Sequence, residues 1–286
     1  MSSKSNEVLE SKKQRTRKGE RFFALKRKYL AIPYAVFLVL FVIVPILLIF
    51  FYAFTDSNGR PSFDAAKDFF TSASKWSVLF TSLFIGVQNT IICLLIGYPI
   101  AYILSNKKLN KNGVMVMLFV MPMWINFVLR TGATRDLLSW LGIDGGNHPW
   151  PATLIGMVYN YLPFTILPLY TTMLKLDKSQ IEAAGDLGAN GFQVFTKSIL
   201  PQSLPGIISA SEMVFMPTMS SYVISDTLSE GKITLFGNSI YFNFSNSLWN
   251  EGSFMAVVML AIIGITMLVT KNGSKDGTAA RGGGLW

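Results

Sequence analysis

Apolar residues fall into six blocks along the chain: about Leu30–Phe54, Val78–Leu104, Val114–Leu129, Thr153–Leu174, Leu204–Ile224 and Phe254–Thr270. Each block is near the ~20 residues that an α-helix needs to cross bilayer hydrocarbon, the third and sixth at the short end. The pattern therefore predicts an all-α membrane protein with six transmembrane helices. The first block is longer than the ~7–15 apolar residues of a signal peptide and lacks a small-residue cleavage site, so it is expected to remain as an anchor. Pro45, Pro99, Pro122, Pro163, Pro168 and Pro217 lie inside the blocks. They predict kinks or broken turns, which membrane helices tolerate where neighbours or a cavity satisfy the freed backbone. The resulting organisation is a basic tail over residues 1–28, a six-helix domain over 29–271, and a short tail over 272–286.

Between the fourth and fifth blocks runs a polar stretch, Lys175 to Gly206, too poor in apolar residues to lie in lipid. Ser179 and Glu182 have the spacing of a capping box, which predicts a helix from Gln180 through Leu187 that stops at Gly188. Asn190 is placed to cap a second short helix, expected to end before Pro201. Helix, glycine elbow, helix is the predicted shape. For Glu182, local capping competes with a polar contact to another protein.

Composition supports the membrane reading. Hydrophobic residues make up 51% of the 286, charged residues only 14%, and mean hydropathy is +0.41, too apolar for an ordinary soluble domain. Cys93 is the single cysteine, so neither a disulfide framework nor a cysteine metal site is expected. The tail from Met1 to Lys28 is rich in Lys and Arg; contact with an anionic membrane surface explains it better than nucleic acid, because an apolar span follows directly. Of the 25 Lys and Arg, one side of the predicted spans receives only Arg60, Lys67, Lys75, Arg130, Arg135 and Lys232. The positive-inside rule then places both termini and the Glu182 loop in the cytoplasm.

Little in the chain points to catalysis. No G-x-x-x-x-G-K-[ST] phosphate loop is present. The only histidine, His148, sits in a predicted external loop beside Gly145, Gly146 and Pro149, and no second histidine or G-x-S-x-G turn completes a hydrolase or metal constellation. No catalytic residue, metal ligand or cofactor is expected on this chain, and an intramembrane enzyme is the weak alternative. Glu212, on the fifth span, is the most informative intramembrane group, since an ionisable side chain there usually faces a bundle interior or a water-filled path. Bonding to a neighbouring helix is the competing account. Asp226 lies near the outer end of the same span. Trp124, Tyr159, Tyr161 and Tyr222 offer ring faces to an ammonium group, although interfacial anchoring explains most such aromatics.

The residues Glu182, Ala183, Ala184, Gly188, Leu200 and Pro201 fit the pattern E-A-A-x(3)-G-x(9)-I-x-L-P and resemble the cytoplasmic signature of ABC importer permeases. Ser198 stands where that pattern has isoleucine, and Ile199 follows it. From about Leu30 to Thr270 the chain is similar to the first permease subunits of spermidine/putrescine importers. The stretches that carry the likeness are MPMWINFVLR, YLPFTILPLYTTMLKLDKSQIEAAGDLGA, YVISDTLSEGK and LFGNSI. The resemblance implies the six-helix fold of type I importer permeases, in which residues 175–203 form coupling helices against an ATPase. It also implies two copies of that ATP-binding subunit, which would hold ATP and Mg, a second permease, and an extracellular or periplasmic polyamine-binding protein. The implied setting is the bacterial plasma membrane. A permease for another small solute and an ion-coupled carrier are the alternatives; no inverted repeat is visible to support the carrier. Glu212 departs from the family, where an apolar residue is commoner, so its role is this sequence's own.

Overall fold

The computed structural model describes residues 27–56, 59–106, 110 and 113–279. The basic tail as far as Lys26, Lys107, Lys108, Lys111 and Arg281 lie outside the described residues. The described residues divide into two compact units, one ending at Phe51 and the other beginning at Tyr52. In the first, helix α1 (Arg27–Leu38) passes through a π turn at Val39–Ile43 into α2 (Val44–Ala53). The Val44 N–H bonds to the Val39 carbonyl, five residues back, immediately before Pro45. Widening the helix by one residue at that point accommodates a ring that would clash with an α-helical carbonyl. The expected kink at Pro45 thus takes the form of a π turn.

The second unit contains α3 (Asp64–Thr71), α4 (Ala73–Ser105), α5 (Val114–Val120), α6 (Phe127–Trp140), α7 (Pro149–Met173), α8 (Lys178–Asp186), α9 (Gly191–Val194), α10 (Leu200–Ser220), α11 (Val223–Ser229), α12 (Phe236–Ser245) and α13 (Trp249–Ala279). No named strand occurs among the described residues; Thr55 and Pro61 form one isolated antiparallel bridge. Among the described residues four helices are long and apolar enough to cross a membrane: Ile32–Ala53, Ala73–Ser105, Pro149–Met173 and Trp249–Thr270. Two further pairs, Val114–Trp124 with Phe127–Trp140 and Gly191–Ser220 with Val223–Ser229, bend by 95° and 65°; counting each as one span gives six.

These bends correct two expectations. The third block, predicted to be one helix over Val114–Leu129, breaks at Ile125, whose backbone is extended. Pro122 tightens Met121–Trp124 into a 3-10 turn, and Asn126 starts a new helix by accepting the Val128 N–H at 2.9 Å. The fifth block, predicted over Leu204–Ile224, stops at Ser220 and resumes at Val223, with Ser221 extended between them.

Helices α4, α7 and α10 pack against one another to form the centre of the second unit. Ile85, Met157, Leu228 and Leu235 are buried in one cluster; Ala101, Leu169, Met173 and Ala210 are buried in another. Small residues allow the close approach typical of membrane helices. A methyl group on Gly97 would stand 2.8 Å from Thr165 Cγ2, and one on Gly206 would stand 2.7 Å from Thr172 Oγ1. Hydrogen bonds cross between helices: Asn89 Nδ2 donates to Thr218 Oγ1 at 2.7 Å in a buried bond, and the Tyr98 and Ser203 hydroxyls meet at 2.8 Å in a half-buried one. Such bonds contribute roughly 0.6 kcal/mol each, so they fix register more than they supply stability.

Candidate coupling loop and translocation cavities

The loop after α7 is held almost entirely by its own backbone and caps. Asp177, rather than the predicted Ser179, is the N-cap of α8: its Oδ1 accepts the Ser179 N–H at 3.0 Å and the Ser179 hydroxyl at 2.7 Å. Those bonds, the hydroxyl first, hold the Asp177 carboxyl below the usual carboxylate range, because they stabilise its charged form. At the other end the Gly188 N–H bonds to Gly185 O at 2.9 Å and the Ala189 N–H to Ala184 O at 3.1 Å. This is a Schellman stop, and Gly188 takes the left-handed φ of +80° that the motif needs. A reciprocal capping box follows, with Gln193 N–H bonded to Asn190 Oδ1 at 2.9 Å and Asn190 N–H bonded to Gln193 Oε1 at 3.0 Å.

The helix begun by this box does not end before Pro201, as its sequence predicts. It runs through a π turn at Phe195–Ile199, where the Leu200 N–H reaches the Phe195 carbonyl, and continues as α10. The proline is again absorbed by a one-residue widening just before it. Ser198, the departure from the importer pattern, accepts from Gln202 Nε2 at 3.3 Å, and Gln202 Oε1 in turn accepts the Asp177 N–H at 2.9 Å. That chain ties the end of the loop to its beginning. Ile199 beside it is buried.

No residue of α8 is buried. Glu182, Ala183, Gly188 and Pro201 are exposed, while Ala184 and Leu200 are half-buried. Leu187 and Phe192 are 89% and 75% exposed, and sequence reasoning passed over both. They stand on either side of the Gly188 elbow, where the chain offers apolar side chains beside polar ones. Glu182 also borders a recess of about 350 Å³ with Tyr102, Asn106 and Lys178.

A second candidate site forms where the two bent spans break. A cavity of about 570 Å³ is bounded by Met123–Phe127 and Arg130 at the first break, by Pro217 and Ser220–Ile224 at the second, and by Asn160, Tyr161 and Phe164 of α7. Trp124, Tyr161 and Tyr222 are therefore brought together. Tyr159 lies behind this wall, with the Arg130 guanidinium 5.6 Å from its ring centroid, a cation–π distance. Arg130, in sequence an outer charge and the last residue of the MPMWINFVLR stretch, is 8% exposed. Its Nε donates to Asn160 Oδ1 at 2.8 Å, its Nη1 to Pro122 O at 2.8 Å and its Nη2 to Asn160 O at 3.5 Å.

Tyr222 also borders a neighbouring cavity of about 750 Å³ with Asp226, Asn238, Tyr241, Asn243 and Lys75. Its ring stacks on Tyr241 at 4.5 Å and 8°. Lys75 is occupied by Asp68 and by Glu251, the latter at 2.8 Å, while Asp226 is exposed on the same wall. Glu212 belongs to neither cavity. It accepts the Thr270 hydroxyl from α13 and lies in an apolar recess of about 340 Å³ among Val87, Ile91, Leu94 and Phe215. The six path candidates thus divide: Trp124, Tyr161 and Tyr222 on one cavity with Tyr159 behind it, Asp226 on the next, and Glu212 apart. Among the described residues no group of three His, Cys, Asp or Glu is placed to hold a metal ion.

Residues 22–271 match the family described as binding-protein-dependent transport system inner membrane component. The spermidine/putrescine transport system permease protein PotB of Haemophilus influenzae is 34% identical over 258 residues, which cover 83% of this chain and 90% of that one. PotB of Escherichia coli is 33% identical over 209 residues, covering 68% and 76%. A PotB homolog of Mycoplasma pneumoniae is 30% identical over 239 residues, covering 80% and 82%. Among solved structures, a chain of a bacterial alginate ABC transporter in complex with an alginate pentasaccharide-bound periplasmic protein superposes with a TM-score of 0.67 at 14% identity, covering 88% of this chain and 96% of that one. At that identity the likeness is one of fold.

Proposed function

This chain belongs to the binding-protein-dependent transport system inner membrane components, and we propose that it is the polyamine-conducting permease subunit of an ATP-driven importer for spermidine and putrescine. It is a transport subunit and not an enzyme. ATP and Mg belong to two copies of a separate ATPase, a second permease completes the membrane path, and an external binding protein delivers the cargo. Both termini and the Lys175–Ser203 loop face the cytoplasm.

The observation that carries the reading is the loop. An exposed helix, a Schellman elbow and a second capped helix present Glu182, Ala183, Leu187 and Phe192 outward, and among the described residues nothing covers the two apolar groups. Closing of the ATPases beneath this surface pushes on α9, which is continuous with α10. The cavity at the two helix breaks then opens to one side or the other. The cargo class is supported by the relatives' names and by Asp226 beside the stacked Tyr222 and Tyr241 rings, since a carboxylate and two ring faces suit an ammonium group.

The test is uptake of radiolabelled spermidine and putrescine by cells lacking their own importers and supplied with this chain and its genomic neighbours. ATP-dependent uptake is the expected result; assembly and ATP hydrolysis without uptake would remove the polyamine and leave the importer. One observation favours a second cargo class: Arg130 on the cavity wall suits an anionic solute. Competition by small carboxylates in the same assay distinguishes the two.

A further inference from the structure

The cavity at the helix breaks holds a charge that the Tyr159 ring faces but no carboxylate among the described residues answers. Arg130 is almost fully buried, yet its acceptors are three neutral oxygens. No Asp or Glu borders the cavity, and among the described residues Arg130 takes part in no ion pair. A guanidinium has five N–H donors; these three bonds leave one on each terminal nitrogen. A buried ion without a counter-charge is strongly disfavoured. In a low-dielectric wall the same charge also repels each ammonium group that passes. A carboxylate removes both difficulties at once, and its two oxygens match the two free donors of the fork.

The rim of the cavity indicates where that carboxylate comes from. Trp124 is 84% exposed, and Ile125 and Phe127 beside it are exposed as well. This apolar lip is suited to a membrane helix of another chain, whereas a small dissolved anion has no use for it. We infer that a transmembrane helix of the second permease covers this opening and sets an Asp or Glu side chain against Arg130. The inference rests on the importer reading, which supplies the second permease.

The test uses the whole complex in membranes, with Arg130 intact and a benzophenone amino acid in place of Trp124. After photoactivation, the cross-linked peptide is sequenced by mass spectrometry. The expected product is a segment of the second permease with an Asp or Glu within one helical turn of the attachment point. Cross-links to lipid alone, to this chain alone, or to a partner segment without an acid within a turn overturn the inference. In a second arm, Arg130→Glu lowers polyamine uptake about tenfold or more, and changing the identified acid to Lys or Arg restores about half of it or more. Failure of every such change to restore uptake overturns the pairing. If the wild-type complex imports polyamine while these arms fail, only the pairing is lost. If the cross-link is found and polyamine is not imported, the cargo is wrong and the pairing stands.

Discussion

The candidate coupling loop and the cavity at the helix breaks are built by opposite means. In the loop, nearly every fixing bond spans five residues or fewer: Asp177 to Ser179, Ala189 to Ala184, Asn190 to Gln193. The surface it makes is exposed and has nothing of its own to do inside the chain. At the cavity, the fixing bonds join residues 30 apart, Arg130 to Asn160, and tie the α6 side of the first break to Pro122 on its other side. An exposed surface can be assembled from local chemistry. A cavity between two bent spans needs bonds between elements far apart in the chain.

The largest effect is therefore expected at the cavity. Asn160→Leu removes the acceptor of Arg130 Nε while keeping the volume, and leaves a buried cation short of partners. A loss of about 2–3 kcal/mol is expected for one hydrogen bond to a buried charge, read as a lower unfolding midpoint of the purified complex together with lost uptake. An unchanged midpoint would show that Arg130 is held by other means and would dissolve the contrast. Next comes Gly188→Val in the loop. Nothing lies within 4 Å of the Cβ it adds, so its cost is conformational, about 1–2 kcal/mol for a left-handed non-glycine residue. It is expected to leave the membrane domain stable and to abolish copurification of the ATPase. Gly188→Asn, which tolerates that conformation better, is expected to retain most of it.

Smaller again is Asn190→Ala, which removes half of the capping box for about 1 kcal/mol. Hydrogen exchange of the Gln193 amide should rise, with the midpoint of the whole complex unmoved. The smallest effect is a pH dependence confined to one cap. The Asp177 carboxyl titrates below its ordinary range in the folded loop, so its contribution is complete above the unfolded value and is lost as pH falls through the folded one. In acid the Ser179 amide is expected to lose protection relative to Gln193, whose cap is an uncharged amide. Equal loss at both would show that the loop unfolds as one unit and that the cap charge is irrelevant.

The same division explains what was legible in the chain. Helix–elbow–helix was readable because Gly188 and Asn190 act on their own neighbours. The S-x-x-E spacing points to Ser179 as the N-cap, whereas Asp177, two residues earlier, takes that place and uses the Ser179 hydroxyl as well. Stopping the second helix at Pro201 failed because a π turn is a backbone adjustment with no signature of its own. The spans were readable as apolar blocks, but the breaks at Ile125 and Ser221 were not. Pro122 and Pro217 marked the neighbourhood, and the carbonyl of Pro122 is satisfied by an arginine from beyond the break. Arg130 reads in sequence as one of the few outer charges, one residue past an apolar block. Its burial against Asn160 depends on α7 and has no local signal.

The unbroken run from Gly191 to Ser220 has a mechanical consequence. At 1.5 Å per residue its 30 positions make a rod of about 45 Å, with the Phe192 tip at one end and the Tyr222 hinge just past the other. The π turn at Phe195–Ile199 inserts one residue into that rod, and because each residue of the wider turn winds less than an α-helical one, the extra residue is absorbed without turning the tip. Deleting it would close the turn to an ordinary α turn, keep Phe192 facing as it does, and set the Pro201 ring against an α-helical carbonyl. The inserted residue is thus what lets one straight shaft carry a proline at the point where the loop becomes α10.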